Sequence, residues 1–144
     1  MAKPEGNFIQ RVHRKLNKKI HKQSMGLTAL NGTPDYYYEG PYGSMWIEYK
    51  WYAARPGSIR LATSKSSPKL SPLQRKWLNR AYVNRVRVYV VAGYPGGCFI
   101  LKNSKWNDDL KPVEPYECPI EEVVALINGL AESNSNRRSS IVPI

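Results

Sequence analysis

The sequence predicts an α/β fold in which a small mixed sheet packs against helices. Three observations indicate this class: an apolar stripe of helical spacing near the N-terminus, alternating side chains over 44–52, and a helix-capping signature at residue 71 followed by a valine-rich strand. The predicted order is helix, strands, helix, strands, helix, which favours an α/β sandwich. The 144 residues suit one domain, expected over 1–132, with 133–144 as a disordered tail.

The first helix is expected to begin at Pro4, with Glu5 at the positive end of the helix dipole. Its apolar stripe consists of Phe8, Ile9, Val12, Leu16 and Ile20. The opposite face is basic, and residues 6–31 contain no acid. Such a face is either solvated or binds phosphate, and the lack of acids favours phosphate. His13 and His21 lie on the same predicted helix and are expected to be solvated.

A β-hairpin is predicted next. After a weak strand candidate at 27–30, residues 35–39 and 44–52 have strand character on either side of a turn. Alternation in the second strand separates Met45, Ile47, Tyr49 and Trp51 from Trp46, Glu48 and Lys50 on the other face. Outward-facing aromatic side chains here are candidates for stacking on unpaired bases, although aromatics also favour strands for packing: Tyr36, Tyr37, Tyr38, Tyr42, Trp46, Trp51 and Tyr52.

The second half of the chain completes the predicted fold. Residues 53–70 lack periodicity and are interpreted as a basic loop insertion that forms a flap beside the site. Ser71 begins a helix as N-cap, with Pro72 first and Gln74 completing a capping box. The apolar stripe of this helix is Leu73, Trp77, Leu78 and Ala81. Strands over 86–92 and 98–101 and a helix from 119 or 120 to 130 follow.

The charge indicates a polyanionic partner. Lys and Arg total 22 against 11 Asp and Glu, a formal net charge of +11, and each neutralised phosphate adds affinity through counterion release. A nucleic acid is the predicted partner. The residues expected to contact it lie in the two helices and the 53–70 loop: Arg11, Arg14, Lys15, Lys18, Arg55, Arg60, Lys65, Lys69, Arg75 and Lys76.

Composition argues against a zinc site and against membrane insertion. Cys98 and Cys118 are far apart and share no metal-ligand spacing with the two histidines, so a hard, oxygen-liganded ion is expected. Two free thiols are favoured over a disulfide, although the sequence does not exclude the disulfide. No apolar run approaches a membrane span, and no signal region follows the N-terminus, so a soluble intracellular protein is expected.

Two acidic residues and a lysine in the predicted hairpin are candidates for an active site. Asp35 begins the first strand of the predicted hairpin, and Glu48 and Lys50 leave one face of the second strand. Two carboxylates can bind Mg²⁺ through oxygen, and an ammonium can stabilise charge that develops on a phosphate. The alternative is an exposed Glu–Lys ion pair, worth at most about 1 kcal/mol.

Together these residues resemble the PD-(D/E)XK nuclease superfamily. Pro34-Asp35, a twelve-residue gap and Glu48-Tyr49-Lys50 follow its motif, and the closer likeness is to the VRR-NUC group of phage and repair nucleases. Gly32 to Asp35, the serine–glutamine start of the second helix and the valine-rich strand support that likeness. It covers about residues 5–101, and the stretch over 51–70 is longer and more basic than is typical of the compact group.

The resemblance implies a restriction-endonuclease-like α/β/α core and a set of site residues. Asp35, Glu48 and the Tyr49 carbonyl would be metal ligands, and Lys50 the catalytic lysine. Glu5 matches a first-helix glutamate that reaches the metal, and Gln74 matches a glutamine near the active site. For both, the local alternative is equally good: a helix-dipole carboxylate for Glu5 and a capping-box partner for Gln74.

The function implied is Mg²⁺-dependent hydrolysis of DNA phosphodiester bonds, with Mn²⁺ able to substitute. A Holliday-junction-resolvase-like enzyme acting on branched DNA is favoured, as a homodimer because each site cuts one strand. The alternatives are a sequence-specific endonuclease of homing or restriction type and a non-catalytic nucleic-acid-binding module. The expected location is the cytoplasm, which includes that of a host cell if the protein is phage-encoded.

Overall fold

The computed structural model describes residues 3–26 and 31–132. The predicted strand at 27–30 and the predicted tail at 133–144 lie outside the described residues. The helices and strands are α1 Pro4–Arg14, β1 His21–Ser24, β2 Tyr36–Gly40, β3 Gly43–Trp51, α2 Pro72–Val83, β4 Val88–Tyr94, β5 Gly97–Leu101, β6 Glu117–Cys118 and α3 Ile120–Asn128. Short 3₁₀ turns occupy 105–107, 114–116 and 129–131.

The strands form one six-stranded sheet in the order β1 to β6. Strands β3 and β4 are parallel and all other neighbours are antiparallel, which confirms the predicted mixed sheet and the β2–β3 hairpin. A parallel pair needs a long crossover connection, and the segment from Tyr52 to Arg87, including α2, supplies it. Consecutive Val90, Val91 and Ala92 are all buried because β4 is covered on both faces.

Helices cover the sheet on both sides, giving the three layers of an α/β/α fold. On one side, α1 and α3 pack their apolar residues against the odd-numbered side chains of β3. On the other side, α2 and the segments around Ile59 and Trp106 pack against Val88, Val90 and Phe99. In the part of the chain described, no helix has the length and apolar character that a membrane span requires.

Helix α1 is shorter than predicted. It ends at Arg14, and Lys15 and Leu16 donate their N–H groups to carbonyls three residues earlier, which tightens the last turn. Asn17 and Asn128 then hold the turn through side-chain hydrogen bonds to main-chain N–H groups. Leu16 and Ile20 still pack against the core from this turn, so their helical spacing was misleading. Lys18 lies in the turn, and not in the helix.

Strand β1 was not predicted. His21–Ser24 pairs with β2 at the edge of the sheet and is exposed at all four positions, so no apolar period marks it. His21 is therefore an exposed strand residue. The stripe predicted for α2 holds for Leu78 and Ala81, whereas Leu73 is 51% exposed and lies outside the core.

The loop over 53–70 is anchored at several points and does not form a free flap. Ile59 and Leu61 are fully buried, and Ile59 exchanges main-chain hydrogen bonds with Leu110. Arg55 forms ion pairs with Glu114 at 2.8 Å and Glu117 at 2.7 Å. The apolar anchors were missed because they are too few to form a period.

Candidate active site

The hairpin brings Asp35 to the middle of β3. Its carboxylate oxygen Oδ2 accepts a hydrogen bond of 2.8 Å from the main-chain N–H of Tyr49. The β2–β3 register, which pairs Tyr36 with Ile47, places the start of β2 beside Glu48. Burial raises the pKa of the Asp35 carboxyl, whereas the Tyr49 N–H and Lys50 oppose that rise.

Glu48 is the only charged side chain among the described residues that is buried, at 2% exposure. Its Oε2 atom accepts from the Gln74 amide at 3.1 Å and lies 3.3 Å from the Lys50 ammonium. Its Oε1 atom is buried and has no hydrogen-bond partner in the described structure. Burial first, and the Asp35 carboxylate second, raise the pKa of Glu48 to about 8. Both effects disfavour the charged form of Glu48, so a cation bound beside Oε1 would stabilise that charged form.

Gln74 joins the helix cap to the site. Its Oε1 accepts from the Ser71 N–H at 2.9 Å and from the Lys50 ammonium at 3.2 Å, while Ser71 Oγ accepts from the Gln74 N–H at 3.1 Å. The capping box therefore fixes the amide so that its nitrogen donates to Glu48. Gln74 thus makes both kinds of contact that the sequence left as alternatives: it completes the capping box, and it contacts the candidate site residues Glu48 and Lys50.

Glu5 lies at the edge of the site. It is half-buried in the first turn of α1, and its pKa is raised by burial first and by Asp35 second, while Lys50 lowers it. These interactions place the Glu5 carboxylate within electrostatic range of the two acids and of the lysine. Glu5 therefore lies in the first turn of α1 and also close to the candidate site.

The donor set fits a hard divalent ion. In the described ranges, no group of three or more His, Cys, Asp and Glu side chains is arranged to bind a metal. Two carboxylates suffice for Mg²⁺, however, because it keeps several waters and uses substrate phosphate oxygens as further ligands. The unpartnered Oε1 of Glu48 beside Asp35 is the oxygen that such an ion would satisfy. The Tyr49 carbonyl as a ligand stays a prediction.

The predicted DNA-contacting residues divide into three groups. Arg55, Arg60 and Lys15 form ion pairs with acids of the protein, the last with Glu121 at 2.9 Å. Arg75 is half-buried and its guanidinium is within 3.4 Å of the Asn107 side chain. The others are exposed: Arg11, Arg14, Lys18, Lys65, Lys69 and Lys76.

Sequence reasoning missed a hydrogen-bond chain that begins at His13. Its Nε2 lies 2.8 Å from the Tyr38 hydroxyl, which lies 2.7 Å from the Tyr49 hydroxyl. Burial lowers the pKa of His13 to about 4, so the ring is neutral. A signal existed: His13 lies four residues after Ile9 and three before Leu16, on the apolar side of α1. These hydrogen bonds link α1 to β3, the strand that contains Glu48 and Lys50.

Comparison with known proteins identifies the fold. No family model and no curated protein matches the sequence. Among solved structures, the chain is similar to Hjc, a Holliday junction resolvase from the archaeal hyperthermophile Archaeoglobus fulgidus. The TM-score is 0.53 at 15% identity, over 85% of this chain and 97% of that chain. The chain therefore shares the α/β fold of that resolvase, which is the fold class that the motif predicted.

Proposed function

We propose that the chain is a Mg²⁺-dependent endonuclease that hydrolyses phosphodiester bonds in branched DNA, such as a four-way junction. The observation that carries the proposal is the buried Glu48 with its unpartnered oxygen, next to Asp35 and Lys50, at the position where the motif expects a nuclease site. The resolvase-like fold supports the substrate class. Mn²⁺ is expected to replace Mg²⁺.

Each residue has a distinct role in this proposal. Asp35 and Glu48 would hold the ion, with the Tyr49 carbonyl and Glu5 as further ligands, directly or through water. When bound, the ion supplies polarisation of the phosphate and a lowered pKa for a water molecule. Lys50, only 14% exposed, places a positive charge beside the carboxylates, where it would stabilise charge that develops on the phosphate. Gln74 orients Glu48 and Lys50.

The rest of the chain fits a small DNA enzyme. Residues 1–132 would form one nuclease domain, with 53–70 as an insertion in the β3–β4 crossover. The exposed Arg and Lys side chains would bind phosphates, with an affinity that falls as salt rises. One site cuts one strand, so paired cuts at a junction call for a homodimer. A cytoplasmic location follows from this function.

The test is cleavage of an end-labelled four-way junction beside a linear duplex of the same sequence, with Mg²⁺, Mn²⁺ or EDTA. Asp35→Asn is the informative variant because asparagine keeps an oxygen that can accept from the Tyr49 N–H while the charge is lost. We expect cleavage to fall at least a hundred-fold, roughly 3 kcal/mol in activation free energy, with binding retained. Glu122→Gln, an exposed acid in α3, serves as the matched control.

Each outcome has a clear meaning. Cutting of the junction alone, lost in Asp35→Asn and kept in Glu122→Gln, supports the proposal. Cutting of both substrates at one fixed sequence would indicate a sequence-specific endonuclease. Binding without cutting in either metal would indicate a nucleic-acid-binding module and would overturn the enzymatic proposal.

A further inference from the structure

Three aromatic side chains and an arginine form a cluster where α2 meets the sheet. The Trp46 ring centroid lies 4.9 Å from that of Tyr37 and 5.0 Å from that of Trp77, with interplanar angles of 52° and 64°. The Arg80 guanidinium lies over the Trp77 ring, 5.5 Å from its centroid. We call these four residues the aromatic cluster.

The cluster adjoins the candidate active site through two elements. Trp46 precedes Glu48 by two residues in β3 and shares its face, which places the two Cα atoms about 7 Å apart. Trp77 follows Gln74 by three residues in α2, and the Gln74 amide donates to Glu48. A nucleotide neighbouring a phosphate at Glu48 is therefore within reach of the rings.

The rings of the cluster are partly accessible. Tyr37, Trp46 and Trp77 are each half-buried, in contrast to Tyr38 and Tyr49 on the opposite face, which are at 0% and 1% exposure. The Tyr37 hydroxyl donates to Glu39 at 2.8 Å, which restrains the ring at the surface. Of the aromatic residues predicted to stack on bases, Tyr36, Tyr38 and Trp51 pack on the α1 side of the sheet and are thereby removed from this surface.

We infer that the aromatic cluster is a subsite for an unpaired nucleobase at a DNA branch. This deepens the proposed function and rests on it. Aromatic rings bind any base through stacking, and an arginine adds a cation for its π face or its phosphate. In a continuous duplex each base is already stacked between its neighbours, whereas a branch offers bases that can leave the stack. The cluster thus gives the enzyme a physical means to prefer branches.

The experiment compares the affinity of the protein for two DNAs of equal length at the same salt concentration. One is a junction with two unpaired nucleotides at the branch, and the other is a linear duplex. Cutting is blocked by EDTA, and a 2-aminopurine beside the branch reports stacking through its fluorescence. The variants are Trp46→Leu and Trp77→Leu, with Trp46→Phe and Trp77→Phe as aromatic replacements. Tyr82→Leu, which removes an α2 aromatic ring that is 43% exposed outside the cluster, is the matched control.

We expect the leucine variants to bind the branched DNA roughly five- to one-hundred-fold more weakly, with duplex affinity changed less than about two-fold. The 2-aminopurine signal should be lost in the Trp46→Leu and Trp77→Leu variants and retained in the phenylalanine and Tyr82→Leu variants. Thermal unfolding confirms that each variant is folded. Where a tryptophan-to-leucine variant does not fold, Tyr37→Leu replaces it, because it removes another ring of the cluster.

The contrary results separate this inference from the proposed function. Equal weakening on both DNAs, or an unchanged 2-aminopurine signal in folded leucine variants, would show that the cluster only packs α2 on the sheet and would overturn the inference. Branch-selective binding that depends on the cluster, in a wild-type protein that never cuts with Mg²⁺ or Mn²⁺, would overturn the nuclease proposal while the base subsite stands. A protein that binds neither DNA overturns both.

Discussion

Replacing Gln74 by leucine tests whether this side chain acts on the site or only on the helix. The change removes the amide that donates to Glu48, the oxygen that accepts from Lys50 and the second half of the capping box. The comparison variant is Ser71→Ala, which removes the Ser71 hydroxyl that caps the Gln74 N–H and leaves both site contacts in place.

The expected magnitudes differ between the two variants. Loss of an N-cap serine costs about 1 kcal/mol in the free energy of unfolding, which lowers the melting temperature by about 3 °C for a chain of this size. The leucine variant also removes a hydrogen bond to a buried carboxylate, so we expect a loss of about 2–3 kcal/mol. Cleavage should fall 10- to 100-fold in Gln74→Leu, as for a residue that orients a metal ligand, and less than about two-fold in Ser71→Ala.

The assay measures single-turnover cleavage of the junction and thermal unfolding on the same preparations, well below the melting temperature of the weaker variant. Single-turnover rates exclude product release from the comparison. Equal losses of cleavage in the two variants would refute the reasoning, because the capping role alone would then explain Gln74.

Two further predictions concern groups outside the site. Because the pKa of His13 is lowered to about 4 in the folded protein, the unfolded chain takes up a proton first as pH falls from 6.5 to 4. The free energy of unfolding should therefore fall across this window, by at most about 3 kcal/mol and by about 1–2 kcal/mol once solvent screening of the half-buried ring is allowed for. Urea titrations of wild type and His13→Gln should diverge between these pH values; parallel curves would contradict this assignment. The sulfur atoms of Cys98 and Cys118 lie 3.7 Å apart on paired residues of β5 and β6, so oxidised glutathione should close a 20-residue loop and stabilise the fold by about 3 kcal/mol. A mass loss of two hydrogens and a raised melting temperature are expected, and two thiols that persist under oxidant would disprove the pairing.

Local patterns predicted much of the fold. The capping box at Ser71, the alternation in β3 and the turn between β2 and β3 appear in the structure as expected. Each depends on residues within a few positions of one another, where backbone geometry alone fixes which side chains meet. The placement of Glu48 and Lys50 on one face, with Asp35 nearby, followed from the same short-range rules.

Features without a local period were missed or misread. Strand β1 exists because β2 offers it an edge, and its polar residues carry no pattern of their own. Helix α1 ends early because Asn17 is bound by Asn128, a residue 111 positions away. The loop over 53–70 is held by Ile59 and by Arg55, whose partners lie more than 50 residues further along the chain.

The sequence by itself determined which side chains share a face and which motif they form, because a strand repeats every two residues and a cap spans three. Only the tertiary structure decided that Glu48 is buried with one oxygen unpartnered, and that Gln74, 26 residues later, donates to the other. Burial and desolvation depend on the packing of α2 against the sheet. That packing joins residues far apart in sequence, so no local pattern encodes it.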